Sequence, residues 1–203
     1  MYTTRPGLIL GFHGCDKSIS SKVLIGEESL KSSKNEYDWL GHGIYFWENS
    51  DSRALEFAQS QKENPKKGKY PIDNPSVLGA VINLGYCLDL LDYSNLKLLK
   101  SAYEILKTSH NSSNFPINKR NGKNRDLVLR NLDCAVIEML HEIMRVEKKP
   151  DFDSVRGVFF EGEELYPDAG FKEKDHIQIC IINPNCIKGY FLPRKLDSDY
   201  PKV

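Results

Sequence analysis

The sequence predicts a single α+β domain, with apolar strands toward both ends of the chain and amphipathic helices between them. At 203 residues the chain is long enough to bury one proper core. Its 40% hydrophobic and 28% charged residues are typical of a globular protein. We see no internal repeat and no second domain, so residues 1–203 are treated as one domain.

The N-terminal part of the chain predicts two strands separated by an ordered loop. Residues 8–13, Leu-Ile-Leu-Gly-Phe-His, form a buried apolar run, and residues 44–47 form a second one. The loop at residues 35–43 contains two glycines and an aspartate. Asn49 or Ser50 is expected to cap the helix that follows, because both side chains accept hydrogen bonds from free helix amides.

The middle of the chain alternates between polar loops and periodic segments. Residues 61–74 are lysine-rich and broken by proline and glycine, which predicts a loop, and residues 77–84 predict a strand. Ser94 is expected to cap a helix. Residues 108–125 are predicted to be an irregular excursion. Residues 132–146 are the clearest predicted helix, because their apolar side chains repeat at helical spacing. Three short strands are predicted to close the chain, at residues 157–160, 177–182 and 187–192.

Charge and hydropathy exclude some classes of function. Lys plus Arg equals Asp plus Glu at 28 each, so no global field attracts nucleic acid or a membrane. With no long apolar run and no signal-peptide pattern, we expect a cytoplasmic protein without a membrane partner. Two basic stretches are either solvated loops or a phosphate-attracting rim: Lys62, Lys66, Lys67 and Lys69, and Lys119, Arg120, Lys123 and Arg125.

The five cysteines are expected to be reduced structural thiols. Their number is odd, and neither they nor the histidines have zinc-finger spacing, so no metal site is predicted. Cys15 lies two residues from His13, which makes a nucleophile pair conceivable. We disfavour that pair, because residues two apart on a strand share a face without necessarily touching.

Two glycine-rich motifs carry the functional prediction. The first is Gly11-Phe12-His13-Gly14, and the second is Gly41-His42-Gly43-Ile44-Tyr45-Phe46-Trp47. Each is a strand-like run that presents one polar ring, His13 or Tyr45, beside glycines. Glycine lets a backbone approach a ligand where any side chain would collide.

The pair of motifs resembles the first two motifs of the ADP-ribosyltransferase superfamily, in its His-Tyr branch related to poly(ADP-ribose) polymerases. That resemblance implies a split, mixed β-sheet with short flanking helices, and it implies NAD as the substrate. It implies that His13 bonds the adenosine ribose, that the Gly14 backbone holds the nicotinamide amide, and that Tyr45 stacks on the nicotinamide ring. Gly43 would line the same site, and Trp47 would either offer a flat stacking surface or pack in a corner of the core.

A third motif of the superfamily, usually a glutamate, comes from a late strand. Strand alternation places His176 and Gln178 on one face of the predicted strand at residues 177–182. We assign Gln178 to the glutamate's position, where it would bond the nicotinamide ribose. A glutamine lacks the negative charge that stabilises an oxocarbenium ion, so Glu161 or Glu163 in the preceding loop remains a second source of carboxylate.

The resemblance implies transfer of ADP-ribose from NAD to an acceptor with release of nicotinamide. The acceptor could be a protein or a nucleic acid, and microbial members of this kind are often toxins or defence effectors with an antitoxin or immunity partner. Two alternatives stay open. One is an NAD glycohydrolase on the same fold, and the other is a catalytically silent module that binds NAD or ADP-ribose.

Overall fold

The computed structural model describes residues 7–65, 71–109, 114–121 and 126–201. The elements along these residues are β1 (Ile9–Asp16), α1 (Lys17–Leu24), β2 (Ile44–Glu48), α2 (Asp51–Glu63), β3 (Pro75–Ile82), β4 (Cys87–Asp89), α3 (Tyr93–Ser109), β5 (Asn118–Lys119), β6 (Leu129–Arg130), α4 (Asn131–Val146), β7 (Ser154–Phe159), β8 (His176–Ile181) and β9 (Ile187–Phe191). A turn of 3₁₀ helix at Pro184–Cys186 leads into β9.

A mixed sheet of seven strands organises the molecule, in the order β4-β7-β8-β2-β1-β3-β9. Every neighbouring pair is antiparallel except β4 and β7, which run parallel. A separate two-stranded ladder joins β5 to β6. The predicted α+β class is therefore confirmed at the level of a mixed, mostly antiparallel sheet with a few helices.

The two faces of the sheet are named here by residues of β2. The Phe46 face carries Phe46, Leu78 and Ile179, which belong to one buried cluster together with Val23 of α1. Successive side chains of a strand point to opposite faces, so Tyr45 and Trp47 lie on the other side, the Trp47 face.

Helices α2, α3 and α4 cover the Trp47 face. Helix α2 packs over β1 and β3, where Ala54 joins Phe12 and Trp47 in a buried cluster. Helices α3 and α4 pack on the same face, over the part of the sheet away from α2, where Ile137 and Cys180 belong to a second cluster. The strip of the Trp47 face between α2 and α4 holds the candidate site.

Most predicted elements are present, and the differences lie at their ends. The predicted loop at residues 61–74 begins too early, because α2 continues to Glu63. Ser94 is not the cap of α3: the helix begins at Tyr93, and the Asp92 carboxylate accepts hydrogen bonds from the amide and hydroxyl of Ser94. An aspartate before a helix caps as well as a serine, so the pattern could not separate the two.

The predicted excursion at residues 108–125 contains the short strand β5, which pairs with β6 through Asn118 and Arg130. Residues 110–113 and 122–125 lie outside the described residues, as do Lys66, Lys67, Lys69, Lys123 and Arg125 of the two basic stretches. The proposed basic rim is therefore untested. In the described part of the chain, no helix is long and apolar enough to cross a membrane.

Candidate functional site

His13 lies where strands β1 and β2 stop pairing. Their ladder comprises only Gly11 with Glu48 and Phe12 with Trp47. Beyond it, Nδ1 of His13 lies 2.8 Å from the backbone oxygen of Tyr45, and a carbonyl can only accept, so Nδ1 carries the proton. Burial lowers the pKa of His13. The imidazole is therefore neutral near pH 7, with Nε2 as its acceptor.

The His13 ring contacts the backbone of Tyr45. The ring of Tyr45, however, lies on the opposite face of the sheet from the His13 ring. The His13 ring lies 5.8 Å from that of Phe46, whereas Tyr45 packs against the cluster that contains Leu40 and Cys180. The Tyr45 hydroxyl accepts from the Leu40 amide at 2.8 Å and donates to the Gly41 carbonyl at 2.7 Å. Tyr45 thus fixes the loop before β2, a structural role that the sequence did not reveal.

The glycines of the two motifs permit close packing within the protein. A Cβ at Gly14 would lie 2.1 Å from the carbonyl oxygen of Ala54 in α2. A Cβ at Gly43 would lie 2.4 Å from Sγ of Cys180. The sequence predicts that these glycines let a ligand come close, and in the structure the groups that approach them belong to α2 and β8.

Gln178 projects onto the Trp47 face, in register with Trp47 on β2 and Gly157 on β7. The residue is 9% exposed, and among the described residues no hydrogen bond to its side chain is found. The amide atoms of Gln178 are not among the fully buried unpartnered groups of the described residues, so they keep contact with solvent and can be offered to a ligand. His176 lies on the same face of β8, as the sequence predicts.

A continuous row of rings runs across the strip from α2 to the start of α4. The row consists of Phe57, Trp47, His176, Trp39 and Phe159. Ring centroids are 4.9 Å apart for Phe57 and Trp47, and 6.3 Å apart for Trp47 and His176. Trp39 and Phe159 lie 6.2 Å and 5.8 Å from His176. Both tryptophans of the chain therefore belong to one cluster around His176.

An arginine covers each end of this aromatic row. The guanidinium carbon of Arg53 lies 5.5 Å from the ring centroid of Trp47. That of Arg130 lies 4.5 Å from Trp39 and 4.8 Å from Phe159. Such cation–π contacts add attraction where the groups are desolvated. Neither arginine was predicted, because nothing in the local pattern distinguishes them from ordinary helix-end residues.

Several buried nitrogens of the aromatic row and its arginines have no hydrogen-bond partner within the described residues. They are Nε1 of Trp47, Nε2 of His176, and Nε of Arg53 and of Arg130. Native proteins contain few such groups, and a cluster of them points to a place where polar ligand atoms can be accepted. The strip thus combines stacking surfaces with unused donors and one unused acceptor.

The unused acceptor is Nε2 of His176. Nδ1 of this ring lies 2.5 Å from the backbone oxygen of Lys174, so the ring donates through Nδ1 and keeps its lone pair on Nε2. Burial lowers the pKa of His176, and the nearby Arg53 cation lowers it further. The hydrogen bond to the Lys174 carbonyl and the carboxylates of Glu161 and Asp175 act in the opposite direction.

Glu161 lies at the edge of the same strip and pairs with Arg53, with Oε2 2.6 Å from Nη2. The loop at residues 160–175 is tethered further by Lys174 to Glu56 and by Lys172 to Asp126, each at 2.7 Å. Of the two carboxylates proposed from the sequence, Glu161 contacts Arg53 of the strip directly.

The thiols do not form a catalytic centre. None of the five cysteines, all within the described residues, is in a disulfide, and burial raises the pKa of Cys15 to about 11. His13 uses its Nδ1 on Tyr45. Cys134 lies 4.0 Å from Nε2 of His42, but burial and nearby carboxylates raise its pKa to about 12, so it stays a thiol. Across the described residues, no histidine, cysteine and carboxylate group is arranged to hold a metal.

The chain is similar over most of its length to an archaeal protein. An uncharacterized protein of the archaeon Methanocaldococcus jannaschii is 24% identical over 209 residues, covering 92% of this chain and 89% of the relative. No family model matches the chain, and no solved structure matches it. The similarity extends over nearly the whole length of both proteins and carries no functional information.

Proposed function

We propose that this protein transfers ADP-ribose from NAD to a macromolecular acceptor and releases nicotinamide. The observation that carries the proposal is the adjacency of β8, β2 and β1 in the sheet: Gln178 and Tyr45 lie on the Trp47 face, and His13 lies on the Phe46 face beside the point where β1 and β2 diverge. The resemblance of the sequence motifs links these residue types to NAD, and adjacent strands bring residues that are distant in sequence within reach of one dinucleotide.

In this proposal NAD lies across the point where β1 and β2 diverge. His13, with a neutral ring and Nε2 as acceptor, would bond the adenosine ribose, and Tyr45 would offer its ring to nicotinamide. Gly14 would contribute backbone atoms, and Gln178 would bond the nicotinamide ribose. Gly43 would only border the site, because its amide and carbonyl are already paired with Ser33. Because the Tyr45 hydroxyl is already paired with backbone groups, only its ring is available to a ligand.

A protein acceptor is favoured over a polynucleotide by the loop at residues 160–175. Beside Glu161 this loop exposes four large apolar side chains: Phe160, Leu165, Tyr166 and Phe171, each 55–63% exposed. Exposed apolar groups close together mark protein interaction surfaces more often than phosphate-binding ones. A proteinaceous antitoxin or immunity partner would have the same surface to bind.

A second candidate, a catalytically silent module that binds NAD or ADP-ribose, is favoured by Gln178. Its neutral amide can bond a ribose hydroxyl but offers no charge to a developing oxocarbenium ion. A third possibility is hydrolysis of NAD, in which water is the acceptor and the same residues act. The experiment below distinguishes it from the other two.

The test measures nicotinamide release from NAD without acceptor, with lysate protein, with RNA and with DNA. NAD affinity is measured in parallel by calorimetry. Release with lysate protein supports transfer, and release without any acceptor indicates hydrolysis. Binding without release supports the silent module, whereas absence of both binding and release rejects the NAD site. The same measurements on His13→Gln test the need for that ring, and His141→Gln, which changes a buried histidine of α4 outside the strip, is the matched control.

A further inference from the structure

We propose that His176 is the general base that takes the proton from the acceptor during ADP-ribosyl transfer, an inference that rests on the proposed function. The proton would move to Nε2 of the ring. This residue lies two positions from Gln178 on the same face of β8, and the role follows from the surroundings of its ring.

The tautomer of His176 is already suited to this role. Because Nδ1 donates to the Lys174 carbonyl at 2.5 Å, the lone pair is confined to Nε2 and the ring plane is held in place. Nε2 is buried and has no partner among the described residues. A buried imidazole with one nitrogen fixed and the other unused has the arrangement that general-base catalysis requires.

The distance between His176 and Gln178 fits an acceptor between them. Residues two apart on one face of a strand are separated by roughly 7 Å, which leaves room for one oxygen or nitrogen atom between a ribose and a base. If Gln178 bonds the nicotinamide ribose, the acceptor atom can reach C1′ and Nε2 together. The unpartnered Nε1 of Trp47 and Nε of Arg53 would bond oxygens of the substrate or acceptor beside them.

The step balances without any further reactant. The acceptor X–H attacks C1′, the X–C1′ bond forms, and the bond from C1′ to the nicotinamide nitrogen breaks. The electrons of the broken bond leave with nicotinamide, which departs as a neutral molecule. The proton of X–H goes to Nε2 of His176 and is later lost to solvent.

The residue that replaces the usual carboxylate makes such a base necessary. A glutamine amide does not accept a proton near neutral pH, so Gln178 can orient the ribose but cannot deprotonate the acceptor. Glu161 is held by Arg53 at 2.6 Å, which favours its use as a tether for the loop.

The experiment compares acceptors that need a base with one that does not. Nicotinamide release by the wild type and by His176→Ala is measured with water, with methanol and with sodium azide. Azide is an anion with no proton to remove. We expect His176→Ala to lower the rate with water and methanol by about 10²–10⁴-fold and azide to restore it to within about tenfold of the wild type, forming ADP-ribosyl azide. A loss through misfolding would affect all three acceptors alike.

Two further variants keep the assignment falsifiable. His141 is another buried histidine whose Nε2 has no partner among the described residues. The variant His141→Gln should leave all three rates near those of the wild type. Glu161→Gln should not show recovery selective for azide; if it does while His176→Ala does not, Glu161 is the base and our assignment is wrong. Equal loss with every acceptor in a His176→Ala protein that keeps the wild-type urea midpoint would also overturn it, and His176→Gln takes its place in the same comparison if the alanine variant misfolds.

The pH profile gives an independent readout. The groups facing His176 are Arg53 of α2, Glu161 and Asp175 of the loop, and Arg130 beyond the Trp39 and Phe159 rings. Because burial lowers the pKa of His176, the wild-type rate with water should rise along a limb whose apparent pKa lies below that of an ordinary histidine, and with azide that limb should be absent. If the wild type releases no nicotinamide with any acceptor, lysate protein included, the proposed function and this role are both rejected. Normal release with an unchanged profile in His176→Ala would remove only this role.

Discussion

Two arginines on opposite faces of the sheet make opposite use of their hydrogen-bonding groups. On the Phe46 face, Arg156 is 3% exposed, and its Nε and both terminal nitrogens donate to Glu48 and Asp89. These hydrogen bonds join β7 to β2 and to β4. On the Trp47 face, Arg53 joins α2 to a loop through Glu161 and leaves Nε unpartnered. Completely paired groups between strands stabilise the fold, whereas unpaired groups between a helix and a loop remain available to a ligand.

The largest effect is expected from Arg156→Met. Removing the guanidinium leaves the carboxylates of Glu48 and Asp89, which are 11% and 17% exposed, without their cation. Breaking a buried pair in this way costs about 3–5 kcal/mol of unfolding free energy, which urea denaturation would measure. Arg145→Met is the control, since that side chain is 54% exposed and should change stability by less than about 0.5 kcal/mol. A loss below about 1 kcal/mol in Arg156→Met would mean that the network is hydrated and does not hold the strands.

Tyr45→Phe tests the site residue that also has a structural role. The substitution keeps the ring on the Trp47 face but leaves the Leu40 amide and the Gly41 carbonyl without their partner. We expect a loss of about 1–3 kcal/mol of unfolding free energy, with NAD affinity of the folded fraction changed only a few-fold. The control is Tyr103→Phe, because no hydrogen bond of the Tyr103 hydroxyl is found among the described residues. Loss of NAD binding without loss of stability would mean that the hydroxyl itself contacts the ligand.

The Trp47 face also separates what the sequence could predict from what it could not. Apolar periodicity predicted β1, β2, β8 and α4, because burial of one face leaves a repeating pattern in the chain. It also placed His176 and Gln178 together, since strand alternation requires it. These are local consequences of sequence and need no knowledge of the distant chain.

The partners of these residues could not be predicted, because they join elements far apart in sequence. Glu161 contacts Arg53 across 108 positions, and the Trp39 indole donates to the Val128 carbonyl across 89. The backbone role of the Tyr45 hydroxyl was likewise hidden, since it depends on how the loop before β2 folds back. Side-chain pairing of this kind is determined by tertiary packing, which neither spacing nor composition records.

Asp16→Ala tests the helix that covers the Phe46 face. The Asp16 carboxylate caps α1 through the Ser18 amide and accepts from the amides of Asp73 and Asn74, and these hydrogen bonds lower its pKa to about 2. Losing the cap should cost about 0.5–2 kcal/mol near neutral pH. Because the folded pKa lies below the unfolded value of 3.8, this stabilisation is present above that pH and is lost as the pH falls toward about 2. Urea midpoints of both proteins should therefore converge on acidification, and a constant difference would show that the charge of Asp16 is not responsible.

The smallest change in stability, and the sharpest contrast with Arg156, is expected from Arg53→Met. Its partners Glu161 and Glu56 are 18% and 39% exposed and can become hydrated when released, so unfolding free energy should fall by no more than about 1 kcal/mol. Nicotinamide release should nevertheless fall, because the variant loses the unpartnered Nε and the cation over Trp47. Lys172→Met is the matched control: it cuts another tether of the same loop, to Asp126, without touching the aromatic row. If both variants reduce release equally, loop anchoring is what matters. If Arg53→Met alone reduces it at nearly wild-type stability, the unpaired groups of the Trp47 face serve the ligand.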